Sequence, residues 1–509
     1  MSSPSTAIQT LGLVGTGAMG RGIAQIAAQA GLTVKLYDAN PAAVDAALGA
    51  LRDTLDKLAA KGKVSPEQAK AALERLHPCT QLTELAGCQL VIEAIVERLE
   101  VKRELFKQLE GIVANDCILA SNTSSLSITA IAAACAKPER VAGYHFFNPV
   151  PLMKVVEVID GLRTERAVGD TLMALTRTLG HTPVRAKDMP GFIVNHAGRG
   201  MNTEGLRVAS EGIADFATVD RIMREQAGFR LGPFELLDLT ALDVSHPVME
   251  SIYHQFYEEA RFRPSPITAV RLAGGLVGRK AGEGFYRYID GKQQVPAEAP
   301  APVVQPTRVW VSRADARAHE ATMQLLGKLG TTIDQGERPA DDALIVVTPL
   351  GLDATTCAVE QQLDAQRTVA LDTLFPLLEA KRRTLMTTPV TRPEVRDAAH
   401  ALFAKDGVPV SVIRDSAGFV AQRMVATIVN IGCDIAQQQI ASAQDIDRAV
   451  TLGLGYPRGP LALGDALGAG QIVTILRNMQ SFYGDPRYRP SPWLTRRAQL
   501  GVSLLTEES

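Results

Sequence analysis

A histidine and a glutamate lie in a segment that otherwise has the composition of a protein core. The segment YHFFNPVPLMKVVEV contains His145 and, on the next strand-like run, Glu157. A neutral imidazole can accept a proton near pH 7, and a neighbouring carboxylate can fix its tautomer and stabilise the imidazolium that forms. The pair is therefore a candidate general base with its orienting partner. A core histidine with an ordinary hydrogen-bond partner is the alternative interpretation.

The chain around this segment predicts the elements that would position such a pair. A strand at 8–14, a glycine-rich turn, a helical segment and the strand LTVKLYD form a βαβ unit. Further strand-like runs alternate with helical segments, as expected for a parallel sheet covered on both faces, at 89–96, 117–122 and 141–147. Ligands bind at the C-terminal ends of the strands in such a sheet, and His145 lies near one of these ends.

A glycine-rich turn opens the first predicted helix. Its GxGxxG pattern is weak alone, but here it follows a strand and precedes a helix, so its amides would face a diphosphate. The predicted cofactor contacts in the turn are Gly15, Thr16, Gly17, Ala18, Met19 and Gly20. A turn that only packs a helix against the sheet is the alternative.

Asp38 ends the second strand of the βαβ unit. A carboxylate at this place can bind a ribose diol and repel a 2′-phosphate, which favours NAD over NADP. Because Asn40 and Pro41 follow, Asp38 could instead cap the next helix.

Two polar clusters add candidates for a substrate pocket. Ser124 lies in SNTSS after the strand CILA, where its hydroxyl could hold a substrate oxygen or serve in a turn or helix cap. Asn195, in GFIVNH, is either a site amide or a surface or capping residue. Beside a bound dinucleotide, His145 would remove the hydroxyl proton as hydride leaves carbon, so the predicted chemistry is oxidation of a secondary alcohol.

The second half of the chain repeats part of the first at a constant offset of 227 positions. The matched pairs are Asp188 and Asp415, Gly191 and Gly418, Asp220 and Asp447, Gly232 and Gly459, and Asp238 and Asp465. This predicts a duplicated helical domain. Residues 309–321, in the place of the first βα turn, contain no glycine, so the backbone there could not approach a diphosphate closely.

The predicted fold is an α/β Rossmann domain followed by an all-α helical domain, with a degenerate second copy of both. A proline- and alanine-rich segment without apolar periodicity separates the copies as a linker. The predicted boundaries are 1–187 for the NAD-binding domain, 188–288 for the helical domain, 289–307 for the linker, 308–412 for a shortened Rossmann-like domain without a cofactor site and 413–509 for the second helical domain.

Composition excludes several classes of protein. The 509 residues are 46% hydrophobic and 21% charged with a net charge of −2, which gives no electrostatic case for nucleic acid or an anionic membrane surface. Six cysteines without CxxC spacing predict buried thiols in a reducing cytoplasm, and scattered histidines predict no metal site. The N-terminal sequence has no signal-peptide pattern, and no apolar run is long enough to span a membrane.

In order along residues 8–288, the chain carries GTGAMG, Asp38, SNTSS, HFFNP, VVEV, PGFIVN and GRKAGEGFY. In this set of motifs the first half resembles the NAD-dependent 3-hydroxyacyl-CoA dehydrogenases. The resemblance implies an oxidoreductase of fatty acid metabolism or β-oxidation that acts on an acyl-CoA thioester. Because the second half has no counterpart of His145 or of the glycine turn, one active site per chain is expected.

The resemblance assigns roles to individual positions. His145 would be the general base and Glu157 its partner, Ser124 would contact both substrate and cofactor, and Asn195 would complete the polar pocket. The positions implied to contact NAD are Gly15 to Gly20, Asp38, Glu97, Lys102, Ser124, Asn148 and Lys280. Thr54 and Lys61, on a less diagnostic helical stretch, would contact coenzyme A.

Family members of about half this length usually dimerise through their helical domains. In this chain, residues 415–509 could pack on residues 188–288 as an internal pseudo-dimer, and a homo-oligomer of the whole chain stays open. The long form with a degenerate second half resembles the bacterial enzymes of phenylacetate catabolism that act on 3-hydroxyadipyl-CoA. Two alternatives remain: a dehydrogenase of a free hydroxy acid or sugar acid, and an NAD-binding protein without turnover.

Overall fold

The computed structural model describes residues 8–304 and 306–508. These residues form two compact units that do not follow the two halves of the sequence. The first unit runs to His196 and also contains Gln438–Leu454. The second unit contains Ala197–Gln437 and the chain from Gly455 onward.

Strands are numbered in chain order through the described residues. They are β1 (Thr10–Val14), β2 (Thr33–Tyr37), β3 (Leu76–Pro78), β4 (Leu90–Glu93), β5 (Ile118–Ser121), β6 (Val141–Phe146), β7 (Val155–Asp160), β8 (Thr182–Lys187), β9 (Arg287–Ile289), β10 (Lys292–Gln294), β11 (Val309–Val311), β12 (Leu344–Val347), β13 (Thr368–Leu371), β14 (Arg383–Thr387) and β15 (Val410–Ile413).

Helices in the first half of the described chain are α1 (Ala18–Gln29), α2 (Pro41–Ala60), α3 (Pro66–Glu74), α4 (Leu99–Glu110), α5 (Ile128–Ala132), α6 (Arg166–Thr178), α7 (Val194–Ser210), α8 (Phe216–Arg221), α9 (Pro233–Thr240), α10 (Leu242–Gln255) and α11 (Pro266–Ala273). The second half adds α12 (Ala316–Leu329), α13 (Ala354–Glu360), α14 (Pro393–Phe403), α15 (Ala421–Gln437), α16 (Ala443–Leu454), α17 (Pro460–Leu467), α18 (Ala469–Tyr483) and α19 (Pro492–Leu500).

The sheet of the first unit has eight strands in the order β3-β2-β1-β4-β5-β6-β7-β8. β1 to β6 are mutually parallel, whereas β7 pairs antiparallel with β6 and parallel with β8. The central strands are mostly apolar, and β4 and β6 are buried along their whole length, as expected for a parallel sheet inside an α/β domain. This arrangement brings the ends of β1, β4, β5 and β6 to the same edge of the sheet.

The second unit contains a smaller sheet in the order β11-β12-β13-β14-β15. Its strands β13 and β14 are antiparallel and β14 and β15 are parallel, as for β6, β7 and β8 in the first unit. The predicted fold class, a Rossmann domain and a helical domain followed by a reduced second sheet and further helices, is confirmed.

The predicted linker 289–307 is not without regular structure at its start. Residues Lys292–Gln294 pair antiparallel with Arg287–Ile289 in a short hairpin, with Asp290 and Gly291 at positive φ in the turn. Beyond this hairpin the described linker residues have no helix or strand. The five predicted domain boundaries stay predictions.

Two observations concern membranes and metals. Across residues 8–304 and 306–508, no helix combines the length and apolar character needed to cross a membrane. The same residues include no cluster of three or more histidine, cysteine, aspartate or glutamate side chains arranged to hold a metal ion.

Candidate active site

His145 and Glu157 lie opposite each other on the antiparallel pair β6 and β7. The imidazole Nδ1 is 2.6 Å from Oε2 of the carboxylate, and both side chains are buried. Since a carboxylate oxygen can only accept, Nδ1 donates this hydrogen bond, and Nε2 is the ring nitrogen that can accept a proton. The strand register alone therefore creates the predicted pair.

Glu157 is held on its other oxygen by backbone at the start of α7. The amides of Ile193 and Val194 both donate to Oε1 at 2.9 Å. Gly191 and Phe192, at φ values of 75° and 49°, turn the chain sharply so that these two amides point at the carboxylate. The ring of Phe192 also lies 5.9 Å from the imidazole, centroid to centroid. The carboxylate is thus fixed from both sides.

The SNTSS loop follows β5 and is organised around Glu97. Oε1 of Glu97 accepts from the amides of Ser124 and Ser125 at 2.9 and 3.2 Å and from the hydroxyl of Thr123 at 2.6 Å. Asn195 Nδ2 donates to the carbonyl oxygen of Ser124 at 3.2 Å. The structure therefore brings the Asn195 side chain against the backbone of Ser124.

A buried ion pair lies beneath this loop. Lys102 Nζ donates to both carboxylate oxygens of Glu93 at 2.8 and 2.9 Å and is 3.3 Å from Glu97. Burial opposes the ionisation of Glu97, but Lys102 and the loop donors outweigh it and hold the pKa of Glu97 below its ordinary value. Burial raises the pKa of Glu93, although Lys102 and Ser121 act in the opposite direction. Sequence reasoning missed Glu93, which reads as the end of an apolar strand.

The glycine turn has the geometry that a diphosphate requires. Gly15 has φ +97°, and a Cβ there would be 2.6 Å from the carbonyl oxygen of Ala94. A Cβ on Gly20 would be 2.0 Å from the carbonyl oxygen of Gly15, so this glycine allows the helix to pack on the turn. Gly17, the N-cap residue of α1, has nothing within 4 Å of a built Cβ. The space above the helix N-terminus is open to a ligand, and the residues fit the pyrophosphate of a dinucleotide.

Asp38 contacts the glycine turn rather than capping the next helix. Its Oδ2 accepts from the amide of Thr16 at 2.8 Å and from the Thr16 hydroxyl at 3.1 Å. The N-cap of α2 is Asn40, whose side chain accepts from the amide of Ala42. Asp38 is thus placed beside the turn, at the end of β2, where a ribose would lie.

The remaining predicted contact residues lie at several places in the fold. Asn148 is exposed just beyond β6; Thr54 is half-buried on α2, with its hydroxyl donating to the carbonyl of Ala50; Lys61 is exposed at the end of α2. Lys280 belongs to the second unit, where it is exposed and forms an ion pair with Asp243.

The parallel sheet with its glycine turn, followed by helices, defines a Rossmann-type dehydrogenase. Residues 10–189 match the NAD binding domain of 3-hydroxyacyl-CoA dehydrogenase, and residues 191–288 and 418–504 both match its C-terminal domain. The chain belongs to the 3-hydroxyacyl-CoA dehydrogenase family, and it is an NAD-dependent enzyme of that family. The predicted family, enzyme class and cofactor are confirmed.

Three relatives illustrate the range of this similarity. The 3-hydroxyadipyl-CoA dehydrogenase of Escherichia coli K12 is 38% identical over 494 residues, 97% of this chain and 98% of the relative. A crystal structure of 3-hydroxybutyryl-CoA dehydrogenase from Escherichia coli K12 aligns with a TM-score of 0.85 at 36% identity, covering 97% of this chain and 98% of that one. A probable 3-hydroxybutyryl-CoA dehydrogenase of Deinococcus radiodurans is 42% identical over 277 residues, which is 54% of this chain and 99% of the relative.

Proposed function

We propose that the enzyme oxidises (3S)-3-hydroxyacyl-CoA reversibly to 3-oxoacyl-CoA, with His145 as the general base and Glu157 as its orienting carboxylate. The observation that carries this proposal is the buried pair at 2.6 Å, in which Glu157 is also held by two backbone amides. A carboxylate fixed through both oxygens holds the imidazole in one orientation and one tautomer. That is what a base acting at a defined hydroxyl needs.

Bound NAD supplies the acceptor for the hydride that leaves the substrate carbon. Nε2 of His145 takes the hydroxyl proton, and Glu157 stabilises the imidazolium that results. Ser124 and Asn195, which lie side by side, hold the substrate oxygen by hydrogen bonds. In the reverse direction His145 returns the proton to the oxygen of the 3-oxo group.

The other contact roles belong to the same proposal. Asp38 would bind the adenosine ribose beside the glycine turn, with Glu97, Lys102, Ser124 and Asn148 as the further NAD residues. Thr54 and Lys61 would bind coenzyme A. The two hydrogen bonds that Thr16 donates to Asp38 support the ribose-binding role of Asp38, because they hold its carboxylate beside the glycine turn. The amide of Ser124 donates to Glu97 and its carbonyl oxygen accepts from Asn195, and these two hydrogen bonds give the loop one conformation for both ligands.

Whether the substrate is a coenzyme A thioester is tested by comparing acetoacetyl-CoA with acetoacetate as oxidants of NADH. We expect rapid loss of NADH absorbance with the thioester and almost none with the free acid, because the pocket residues are assigned to a coenzyme A ester. An enzyme that oxidised NADH with acetoacetate alone would belong to the free hydroxy acid class. An enzyme that bound NADH and turned over neither would be the non-catalytic alternative.

We infer that the acyl tail is a dicarboxylate, as in 3-hydroxyadipyl-CoA, and that the enzyme serves phenylacetate catabolism. The support is similarity along nearly the whole chain to the Escherichia coli protein named for that substrate. The crystal structure aligned over the same span is named for the shorter 3-hydroxybutyryl-CoA. Specificity constants for 3-oxoadipyl-CoA and acetoacetyl-CoA in the same assay decide between the two tails.

We also propose that the second half arose by internal duplication and serves as an internal partner subunit. Within the second unit, α7 of the first copy packs against α15 of the second: a Cβ on Gly200 would be 3.0 Å from the Cα of Ile428. Arg423 of α15 forms a buried ion pair at 2.7 Å with Glu204 of α7, and Tyr488 also donates to Glu204. Two copies of one helical domain would meet in this way in a dimer.

Duplication with loss of the second site predicts that calorimetry finds one NAD per 54.5 kDa chain. β11 leads into α12 through Ser312 to Asp315, where Asp315 accepts from the amide of Ala318 and caps the helix. An aspartate at this N-terminus repels a diphosphate and occupies one of the amides that would bind it. Two equal binding sites per chain would contradict the assignment of the second half.

We place the enzyme in the cytoplasm. None of the six cysteines, all of which lie in the described part of the chain, forms a disulfide, and burial raises the pKa of Cys117 and Cys357 to about 12, so both stay protonated and inert. Cysteines outside disulfides are usual in a reducing compartment.

A further inference from the structure

Helix α16 comes from the second half of the sequence but belongs to the first unit. Its buried face consists of Ala443, Ile446, Ala449 and Val450, and it packs against β7 and β8. Two hydrogen bonds attach this segment to β8. The amide of Lys187 donates to the carbonyl of Ile440 at 2.8 Å, and the amide of Arg185 donates to Asp445 at 3.2 Å. The segment is therefore fixed to the pair of strands that carries Glu157.

The last turn of α16 contacts Val194, whose amide donates to Glu157. A Cβ built on Gly453 would be 3.0 Å from both γ-methyl groups of Val194 and 3.5 Å from a γ-methyl of Val155. Val194 is one of the two residues whose amides bind Glu157, and Val155 lies on β7 two positions before it. A side chain at Gly453 would thus push on the backbone that positions the carboxylate.

The second copy offers an internal comparison at the offset of 227 positions. In its strands, Leu371 pairs with Leu385, and the amide of Asp372 donates to the carbonyl of Thr384 at 3.0 Å. Asp372 and Thr384 therefore occupy the places of His145 and Glu157. Asp372 and Thr384 cannot act as a base and its carboxylate partner, because neither of them is a histidine.

In this copy the position of Gly453 is taken by Gln226, and that of Val194 by Ala421. Gln226 Nε2 donates to Asp372 at 2.9 Å, and its Oε1 accepts from the hydroxyl of Thr384. Gln422, in the place of Asn195, donates to the other oxygen of Asp372 at 2.9 Å. The long side chain of Gln226 thus occupies the inactive site through these hydrogen bonds to Asp372 and Thr384.

We propose that Gly453 is a positioning residue for the reaction, so that a helix of the second half sets the geometry of the base in the first half. The absence of a side chain at Gly453 lets α16 close on Val194 without displacing the amide that binds Glu157, and Glu157 in turn orients His145. This inference rests on the proposed role of His145. It gives the second half a direct part in catalysis without a second active site.

The test uses Gly453→Val in the full-length chain. We expect kcat to fall by about tenfold or more, because displacements of around 1 Å at a catalytic group can cost up to ~10²-fold. The Kd for NAD should stay within about twofold, since the atoms nearest Gly15 and Gly20 of the glycine turn belong to Ala94, Ile95, Leu13 and the turn itself, not to Gly453 or Val194. Val194→Ala in the same chain should restore most of the lost kcat, because it makes the room that the added side chain needs.

Gly470→Val is the matched control, as Gly470 is exposed on α18 with nothing within 4 Å of a built Cβ. If Gly453→Val does not fold, Gly453→Ala is measured in its place, with the same rescue by Val194→Ala. The inference is overturned if the Gly453 variant turns over like the Gly470 variant, or if Val194→Ala fails to recover the lost kcat. Its failure is distinguishable from failure of the proposed function, which would show as wild-type kcat in His145→Gln or as no turnover of acetoacetyl-CoA by the wild-type enzyme.

Discussion

Replacing His145 with glutamine is expected to lower kcat several hundredfold or more while NAD binding is unchanged. Glutamine has a similar reach and can hydrogen-bond to Glu157, but it cannot take a proton from the substrate hydroxyl. A positioned general base typically contributes ~10²- to 10⁴-fold. The glycine turn and Asp38 do not contact His145, so the dinucleotide should bind as before. Steady-state kinetics and calorimetry with NAD measure the two effects separately.

The control for this substitution is His77→Gln on β3. His77 is exposed, and a glutamine there should leave both kcat and NAD binding at their original values. A His145→Gln enzyme with unchanged kcat would remove the imidazole from the mechanism. An enzyme that lost NAD binding as well would mean that the substitution had disturbed the fold, which circular dichroism and thermal unfolding would reveal.

Replacing Glu157 with glutamine should have an effect of similar size for a different reason. The glutamine oxygen can still accept from the amides of Ile193 and Val194, which leaves its NH₂ group facing Nδ1 of His145. Nδ1 must then accept, so the ring proton moves to Nε2 and the base has the wrong tautomer. The expected loss in kcat is again ~10²- to 10⁴-fold.

Glu165→Gln provides the comparison, since Glu165 is an exposed glutamate in the same unit. It should keep full activity. If Glu157→Gln retained kcat within about threefold, the carboxylate would have only a packing role, and the orientation of His145 would depend on the surrounding aromatic rings instead.

Sequence reasoning succeeded where local patterns determine structure. The GxGxxG turn, with a strand before it and a helix after it, predicts the βαβ unit, and alternating strand and helix segments predict the sheet. The pairing of His145 with Glu157 could be anticipated because both lie on adjacent strand-like runs. The alternative for Asp38, a cap on α2, was wrong because Asn40 takes that position.

Other features depend on contacts that no local pattern reveals. The amides of Ile193 and Val194 reach Glu157 only because Phe192, a bulky residue, adopts a positive φ. Lys102, which the family resemblance implies to be an NAD contact, is buried against Glu93. The placement of α16 in the first unit joins residues far apart in the sequence. In the sequence, α16 is related to the first half only by the repeat at an offset of 227 positions. This repeat does not show which sheet α16 packs against.

Asp188 and Asp415, which are 227 positions apart, make the same kind of contact. Asp188 accepts from the amides of Ile128 and Thr129 at the start of α5, and Asp415 accepts from the amides of Ala354 and Thr355 at the start of α13. Both halves of the chain therefore have the same helix-capping contact, although the second half lacks the histidine and the glycine turn. The repeated aspartates thus support the fold and are not residues of the candidate site.

We propose that His145, oriented by Glu157, faces the reacting group of a substrate bound beside NAD. The decisive measurement is a crystal structure of the enzyme with NAD and acetoacetyl-CoA. We expect Nε2 of His145 within hydrogen-bonding distance, about 3 Å, of the oxygen on the third acyl carbon, with the nicotinamide ring stacked on that carbon. A complex in which the imidazole and the nicotinamide lie on opposite sides of the substrate, or out of contact with it, would rule out His145 as the base.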